Sequence, residues 1–252
     1  MSNISRRKLI AAGIAGTAGV TGLAAASRVA ENYGLIPPDS GGLFGIGESL
    51  TYASQRLISS HSLAREFPRS EISKVPFANE IAPLSADFKR LQAGGFVDWR
   101  LAIDGMVDRP ASFSVAQLKD LPSRSQITHL ACEEGWSYIA EWTGVPLSHV
   151  LDAVGVKPQA KYVVYFSSEP GWWDSIDMSD ALHPQTFVAY GLNGGELPVG
   201  NGGPLRMRLP RQLGYKSVKF ISRLTVTDNL KKFGKGLGSS APEAGYAWYA
   251  GI

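Results

Sequence analysis

Apolar and polar residues alternate most clearly in the middle of the chain. Trp99, Leu101 and Ile103 interleave with Asp98, Arg100 and Ala102, the period of a half-buried strand. Asp104-Gly105 reads as the hairpin turn that follows it. Ser114 with Gln117 three residues on is a capping box, which opens a short helix through Leu121 that Pro122 ends. Gln126 to Ala131 has strand character and stops at Cys132. Gly144 to Leu147 opens a second helix with Leu147, Val150, Leu151 and Val154 on its apolar face and Gly155 as its stop. Lys161 to Phe166, Phe187 to Leu192, Leu205 to Leu209 and Ser217 to Val226 read as strands, with Trp172, Trp173 and Asp174 in a loop and a Gly-rich segment over 193–203.

Upstream the pattern is weaker. Ser49 to Ile58 is predicted helical with Leu50, Ala53 and Leu57 on one face, and 59–95 has no strong period and reads as covering loops. The expected organisation is a signal peptide over 1–26, an extended arm with one short helix and covering loops over 27–96, a catalytic core over 97–228 and a wrapping tail over 229–252. A mixed sheet with few short helices makes the class α+β.

Composition changes this picture in two places. The formal charge of +3 and a pI near 8.9 suggest an anionic partner, but Arg6, Arg7 and Lys8 supply the whole excess, which argues against nucleic acid. Those residues precede an uncharged run from Leu9 to Ala26, rich in Ala and Gly. The pattern looks like a twin-arginine export peptide, so the expected location is the periplasm or another exported compartment. The run is weakly apolar for a membrane span.

Cys132 is the single cysteine, so no disulfide forms within the chain. It can be a small buried hydrophobe, a nucleophile or a ligand for a soft metal. No cation lies near it in sequence to favour a thiolate, and Glu133 and Glu134 follow directly, whereas a metal would deprotonate the thiol outright. His129, three residues earlier, is a candidate for the same pocket. Downstream, Asn201-Gly202-Gly203-Pro204-Leu205-Arg206 and Gly214-Tyr215-Lys216-Ser217-Val218-Lys219 combine glycines with cations. That combination suits an anion such as phosphate, although neither segment is a P-loop.

Together these segments resemble the sulfite oxidase superfamily of molybdopterin proteins, and within it the molybdenum subunit of bacterial periplasmic methionine sulfoxide reductases. Cys132-Glu133-Glu134-Gly135-Trp136-Ser137 with Trp142-Thr143-Gly144-Val145-Pro146-Leu147 is similar to the metal-cysteine segment. Asn201 and Arg206 followed by Ser217-Val218-Lys219 look like the pterin-binding tract. The resemblance implies one molybdenum held by the dithiolene of one molybdopterin and by Cys132. It also implies Arg206, Lys219, Ser217 and Val218 around the pterin and its phosphate, Asn201 on the pterin, and Ser167 near the metal. Asn79 and Arg56 are the candidates by position for an upstream cofactor loop.

The expected function is an exported oxidoreductase that reduces a small or protein-bound S-oxide or N-oxide. Its electrons would come from a membrane haem subunit or a periplasmic cytochrome. The alternatives are oxidation of sulfite or a related sulfur compound, and a catalytically silent cofactor-binding module. Glu133 and Glu134 stand where sulfite oxidases have an Arg-rich stretch, and no C-terminal immunoglobulin-like dimerisation domain is expected.

Overall fold

The computed structural model describes residue 30 and residues 33–40, 42, 45–79, 83 and 85–252; the segment 1–26, read in the sequence as an export signal, lies outside the described residues. Two five-stranded sheets carry the fold. The first has the order β2 (Ala111–Ser114), β1 (Arg100–Gly105), β10 (Ile221–Thr227), β5 (Tyr162–Ser167), β6 (Trp173–Asp177), and only the β1–β10 pair is parallel. The second has the order β3 (Arg124–Ala131), β4 (Ser137–Pro146), β7 (Phe187–Leu192), β8 (Gly195–Glu196), with β9 (Arg206–Arg208) also paired to β7. The helices are short: α1 (Ile46–Ile58), α2 (Ala86–Ala93), α3 (Val115–Lys119), α4 (Leu147–Val154), α5 (Met178–Ala181) and α6 (Ser240–Glu243). This is a mixed α+β fold, and no helix among the described residues is long and apolar enough to cross a membrane.

Strand periodicity builds the main core. Leu101 and Ile103 of β1, Val163 and Tyr165 of β5, Val145, Val188 and Met207 of the second sheet and the apolar face of α4 meet in one buried cluster. A second cluster on the second sheet gathers Leu130, Tyr138, Trp142 and Phe187. Val164, which points the opposite way from Val163, packs with Tyr52 of α1 and with Leu230, Trp248 and Tyr249 of the tail. The unbroken apolar run of β5 is therefore covered on both faces.

Four local readings change. Asp104-Gly105 ends β1, and the chain turns over 106–110 instead; a Cβ on Gly105 would lie 2.1 Å from the Val226 oxygen, so this glycine serves close approach to β10. Residues 144–146 stay in β4, because Gly144 lets β7 pass within 2.2 Å of where a Cβ would be, and the helix begins at Leu147. Trp173 and Asp174 belong to β6 rather than to a loop.

The fourth concerns α1, which turns its polar side inward: Glu48 and Tyr52 are buried while Leu50 is 65% exposed. The reason is a buried ion cluster. Arg56 pairs with Asp177 and Asp180 at 2.7 Å each, Tyr52 Oη donates to Asp177 at 2.8 Å, and Arg211 adds to Asp180. Once these charges are buried, turning the helix over would leave them without partners, which fixes the face that α1 presents to the core. Arg56→Ala leaves two buried carboxylates short of their cation and is expected to cost about 3–5 kcal/mol in urea unfolding.

Candidate active site

The cavity that holds Cys132 opens where the ends of the two sheets meet. Its volume is about 200 Å³. β3 ends one residue before Cys132, and a five-residue hairpin loop closes with Cys132 N–H donating to the Trp136 oxygen at 2.9 Å. Ser167 closes β5, and Arg206 opens β9. Backbone bonds from Met207 to Val218 and from Ile221 to Leu205 hold the segment before β10 beside β9, so Arg206 and Lys219 come from adjoining stretches. Gly202, at φ +107°, makes this approach feasible: a Cβ there would lie 2.8 Å from Lys219 Cγ and 3.2 Å from Arg206 Cβ. Gly214 packs beside the metal-ligand candidate, its Cβ position being 3.4 Å from Cys132 Cβ, an ordinary contact distance.

Of the residues singled out in the sequence, Cys132, Asn79, Ser167, Arg206, Ser217, Val218 and Lys219 line this one cavity. Asn201 does not. It stands behind the wall, its Nδ2 donating to the Phe77 oxygen at 3.2 Å and its carbonyl accepting from Arg206 at 2.7 Å. Arg56 is absent from the lining, committed to the ion cluster under α1. His129 also stays outside; its ring lies 6.4 Å from that of Phe67. Sequence reasoning missed Trp136, Glu169 and Tyr215 as lining residues, while Trp172, which beside a polar strand end could equally be pocket wall or packing, is part of the wall. For Trp136 and Tyr215 the signal was present, since each lies inside a quoted motif.

The electrostatics are lopsided. Arg206 is buried, its Nη1 and Nη2 donate to the Asn201 and Ser217 carbonyls at 2.7 Å, and its Nε has no partner among the described residues. Lys219 Nζ donates to the Asn79 oxygen at 2.9 Å, Asn79 Oδ1 at 2.6 Å and the Gly200 oxygen at 2.6 Å, all uncharged acceptors. Among the described residues neither cation has a carboxylate in ion-pair range, whereas buried Arg56, Arg211 and Lys216 each have an aspartate. Burial, with the Arg206 charge beside it, lowers the Lys219 ammonium to about 8. Burial also raises the Cys132 thiol to about 12, helped by Glu133, whose Oε2 accepts from Sγ at 3.0 Å. No group of three or more His, Cys, Asp or Glu that could hold a metal exists among the described residues, so a metal at Cys132 would take its other ligands from a cofactor.

Two outcomes follow for protein purified without cofactor. Lys219 loses its proton below the ordinary lysine range, so the unfolded chain holds more protons than the folded one above about pH 8 and anion-free stability rises there. An anion in the cavity reverses that preference and takes up a proton. Calorimetric phosphate affinity is therefore expected to fall by up to about tenfold per pH unit above about 8, and Lys219→Met to flatten the profile. Iodoacetamide labelling of Cys132 is expected to stay slow at pH 8 and to accelerate only as the pH approaches about 12; rapid labelling at neutral pH would contradict the protonated thiol.

Comparison with known proteins agrees with this geometry. Residues 90–233, more than half the chain, match the oxidoreductase molybdopterin binding domain family. The chain is 35% identical over 195 residues to the putative protein-methionine-sulfoxide reductase subunit YedZ1 of Azospira oryzae, covering 77% of this chain and 70% of that protein. It is 34% identical over 147 residues to the protein-methionine-sulfoxide reductase catalytic subunit MsrP of Xanthomonas axonopodis pv. citri, covering 52% of this chain and 46% of the relative. Against that relative the chain spans about half the length. Among solved structures, the sulfane dehydrogenase SoxCD of Paracoccus pantotrophus superposes with a TM-score of 0.50 at 26% identity, over 53% of this chain and 39% of that one. The chain belongs to the sulfite-oxidase-like superfamily of molybdopterin-binding oxidoreductases.

Proposed function

We infer that this chain is an exported molybdenum-pterin oxidoreductase that removes an oxygen atom from a small or protein-bound S-oxide or N-oxide. One observation carries the reading: the only cysteine shares a cavity with Arg206 and Lys219, two cations that have no carboxylate in ion-pair range among the described residues. A buried cation without a counter-ion costs several kcal/mol, and an anionic cofactor offsets that cost. The residues fit the group. Cys132 offers the soft sulfur, the partnerless Arg206 Nε and the Lys219 ammonium suit a phosphate, and Ser217, Val218 and Ser167 shape the wall.

When bound, the group supplies two-electron oxygen-atom transfer, in which the S–O or N–O bond breaks and the oxygen leaves as water with two protons and two electrons from a partner. The chain's own work is positioning. Glu133 Oε2, already accepting from the thiol, can take its proton as Cys132 becomes a thiolate. Trp136 and Trp172 provide apolar wall that excludes water. Glu133 and Glu134 directly follow Cys132, so a dianion such as sulfite arriving at the sulfur meets two carboxylates, whereas a neutral oxide does not suffer that repulsion and a phosphate would sit by Arg206 and Lys219 instead.

The names of the reductase relatives support reduction. The electron source in this proposal is a membrane haem subunit or a periplasmic cytochrome. The likeness to a sulfane dehydrogenase favours a second reading, oxidation of a reduced sulfur compound. Purified protein is expected to carry about one molybdenum per chain and Cys132→Ala almost none. A panel of S-oxides and N-oxides with a reduced dye, set against sulfite with an oxidised dye, decides the direction. Turnover of sulfite alone reverses the ranking, and cofactor without any turnover leaves a silent binding module.

A further inference from the structure

Arg208 is the most expensive side chain in the fold that the site described above does not use. Its relative exposure is 0%, and among the described residues no carboxylate lies in ion-pair range of it. Among the described residues only Nη2 finds partners, donating to the His129 oxygen at 2.6 Å and to Thr128 Oγ1 at 3.1 Å, and Nε and Nη1 find none. It stands two residues from Arg206 on β9, so both side chains leave the strand on the same face. Both guanidinium carbons lie 5.2 Å from the centre of the Trp142 ring. Burial and the Arg206 charge bring the Arg208 guanidinium down to about 9.

A purely structural contact at this place needs no charge. The two acceptors on β3 could be met by a neutral amide, and the space beside Trp142 could be filled by an apolar chain at lower cost. Two cations over one indole, with no carboxylate in ion-pair range among the described residues, gain from their charge only when something negative sits within reach. Arg206 lines the Cys132 cavity, and inside a protein the attraction of an anion there extends to a second charge behind the first. The remaining bond of Arg208 points to the same place, since it pins His129, three residues before Cys132, on the strand that delivers the thiol.

We propose that Arg208 is a positioning residue for the cofactor, which adds a second positive charge behind Arg206 to hold an anionic group in the cavity while fixing the end of β3 that presents Cys132. This rests on the cavity being the cofactor site. Two variants separate charge from hydrogen bond. Arg208→Lys keeps the cation, and Arg208→Gln keeps a donor for the His129 oxygen without the cation. Each is purified as the loaded full chain, and two readouts are taken alongside activity: the rate at which molybdenum and pterin are lost on dialysis against phosphate, and the midpoint potential of the metal in the fraction still loaded.

Arg208→Gln is expected to lose cofactor at least about tenfold faster than the wild type and to shift the potential negative, because reduction adds an electron where a positive charge has gone. Arg208→Lys is expected to stay near the wild type in both. A merely structural role would speed the loss in both variants alike and leave the potential of the loaded fraction unmoved. That result, or three indistinguishable proteins, overturns the proposal. If Arg208→Gln does not fold, Arg208→Lys decides alone: cofactor loss and potential both near the wild type support the charge, and faster loss with an unmoved potential, or a negative shift, overturns it. Wild-type protein without molybdenum is a different failure, which removes the cofactor site and the role of Arg208 together.

Discussion

Positive charge held by uncharged acceptors is the constraint on which the rest of this structure depends. Arg206 and Lys219 are held in a half-enclosed cavity by carbonyl and amide oxygens, with no carboxylate in ion-pair range among the described residues. Elsewhere in the same molecule buried cations are neutralised by aspartates, as in the cluster of Arg56, Asp177, Asp180 and Arg211 and in the pair of Lys216 with Asp174. The contrast separates charge that holds the fold together from charge kept for a ligand. Both kinds are costly to bury, and among the described residues only the first has carboxylate partners.

The architecture serves that arrangement. Two sheets share a core built by period-two alternation, and their strand ends bring together segments far apart in sequence: the loop after β3, the end of β5, the start of β9 and the stretch before β10. Close backbone approaches fix the result. Gly202 lets the Arg206 and Lys219 stretches touch, and Gly214 packs against Cys132. The arm and the tail cover the outer face of β5 and hold the first sheet from behind, with Trp248 N–H donating to Asp39 and Tyr249 N–H donating to Glu48.

Much of this was legible in the sequence, for identifiable reasons. β1, β5, β7 and the capping box of α3 announce themselves through local period or local hydrogen bonding, which tertiary contacts did not override. The motif around Cys132 and the two Gly-rich basic segments could be placed near one another through resemblance, and in the structure most of their singled-out residues line one cavity. The failures share a cause. Leu50 and Leu57 looked like the inner face of α1, but the ion cluster around Arg56, whose partners lie more than a hundred residues away, turned the helix over. Gly105 and Gly144 looked like turn and helix signals, yet each is a glycine because a neighbouring strand passes too close for a Cβ. Arg208 went unnoticed because one arginine in a short strand carries no pattern; only its burial and its partnerless donors single it out.

The central claim is that a soft anionic centre joins the Cys132 sulfur inside the cation-lined cavity. X-ray absorption at the molybdenum edge of the loaded protein tests it most directly. The account predicts sulfur neighbours around the metal whose number drops by one in whatever loaded fraction of Cys132→Ser can be recovered. An unchanged sulfur count in that variant, or no molybdenum in the wild type, would contradict it.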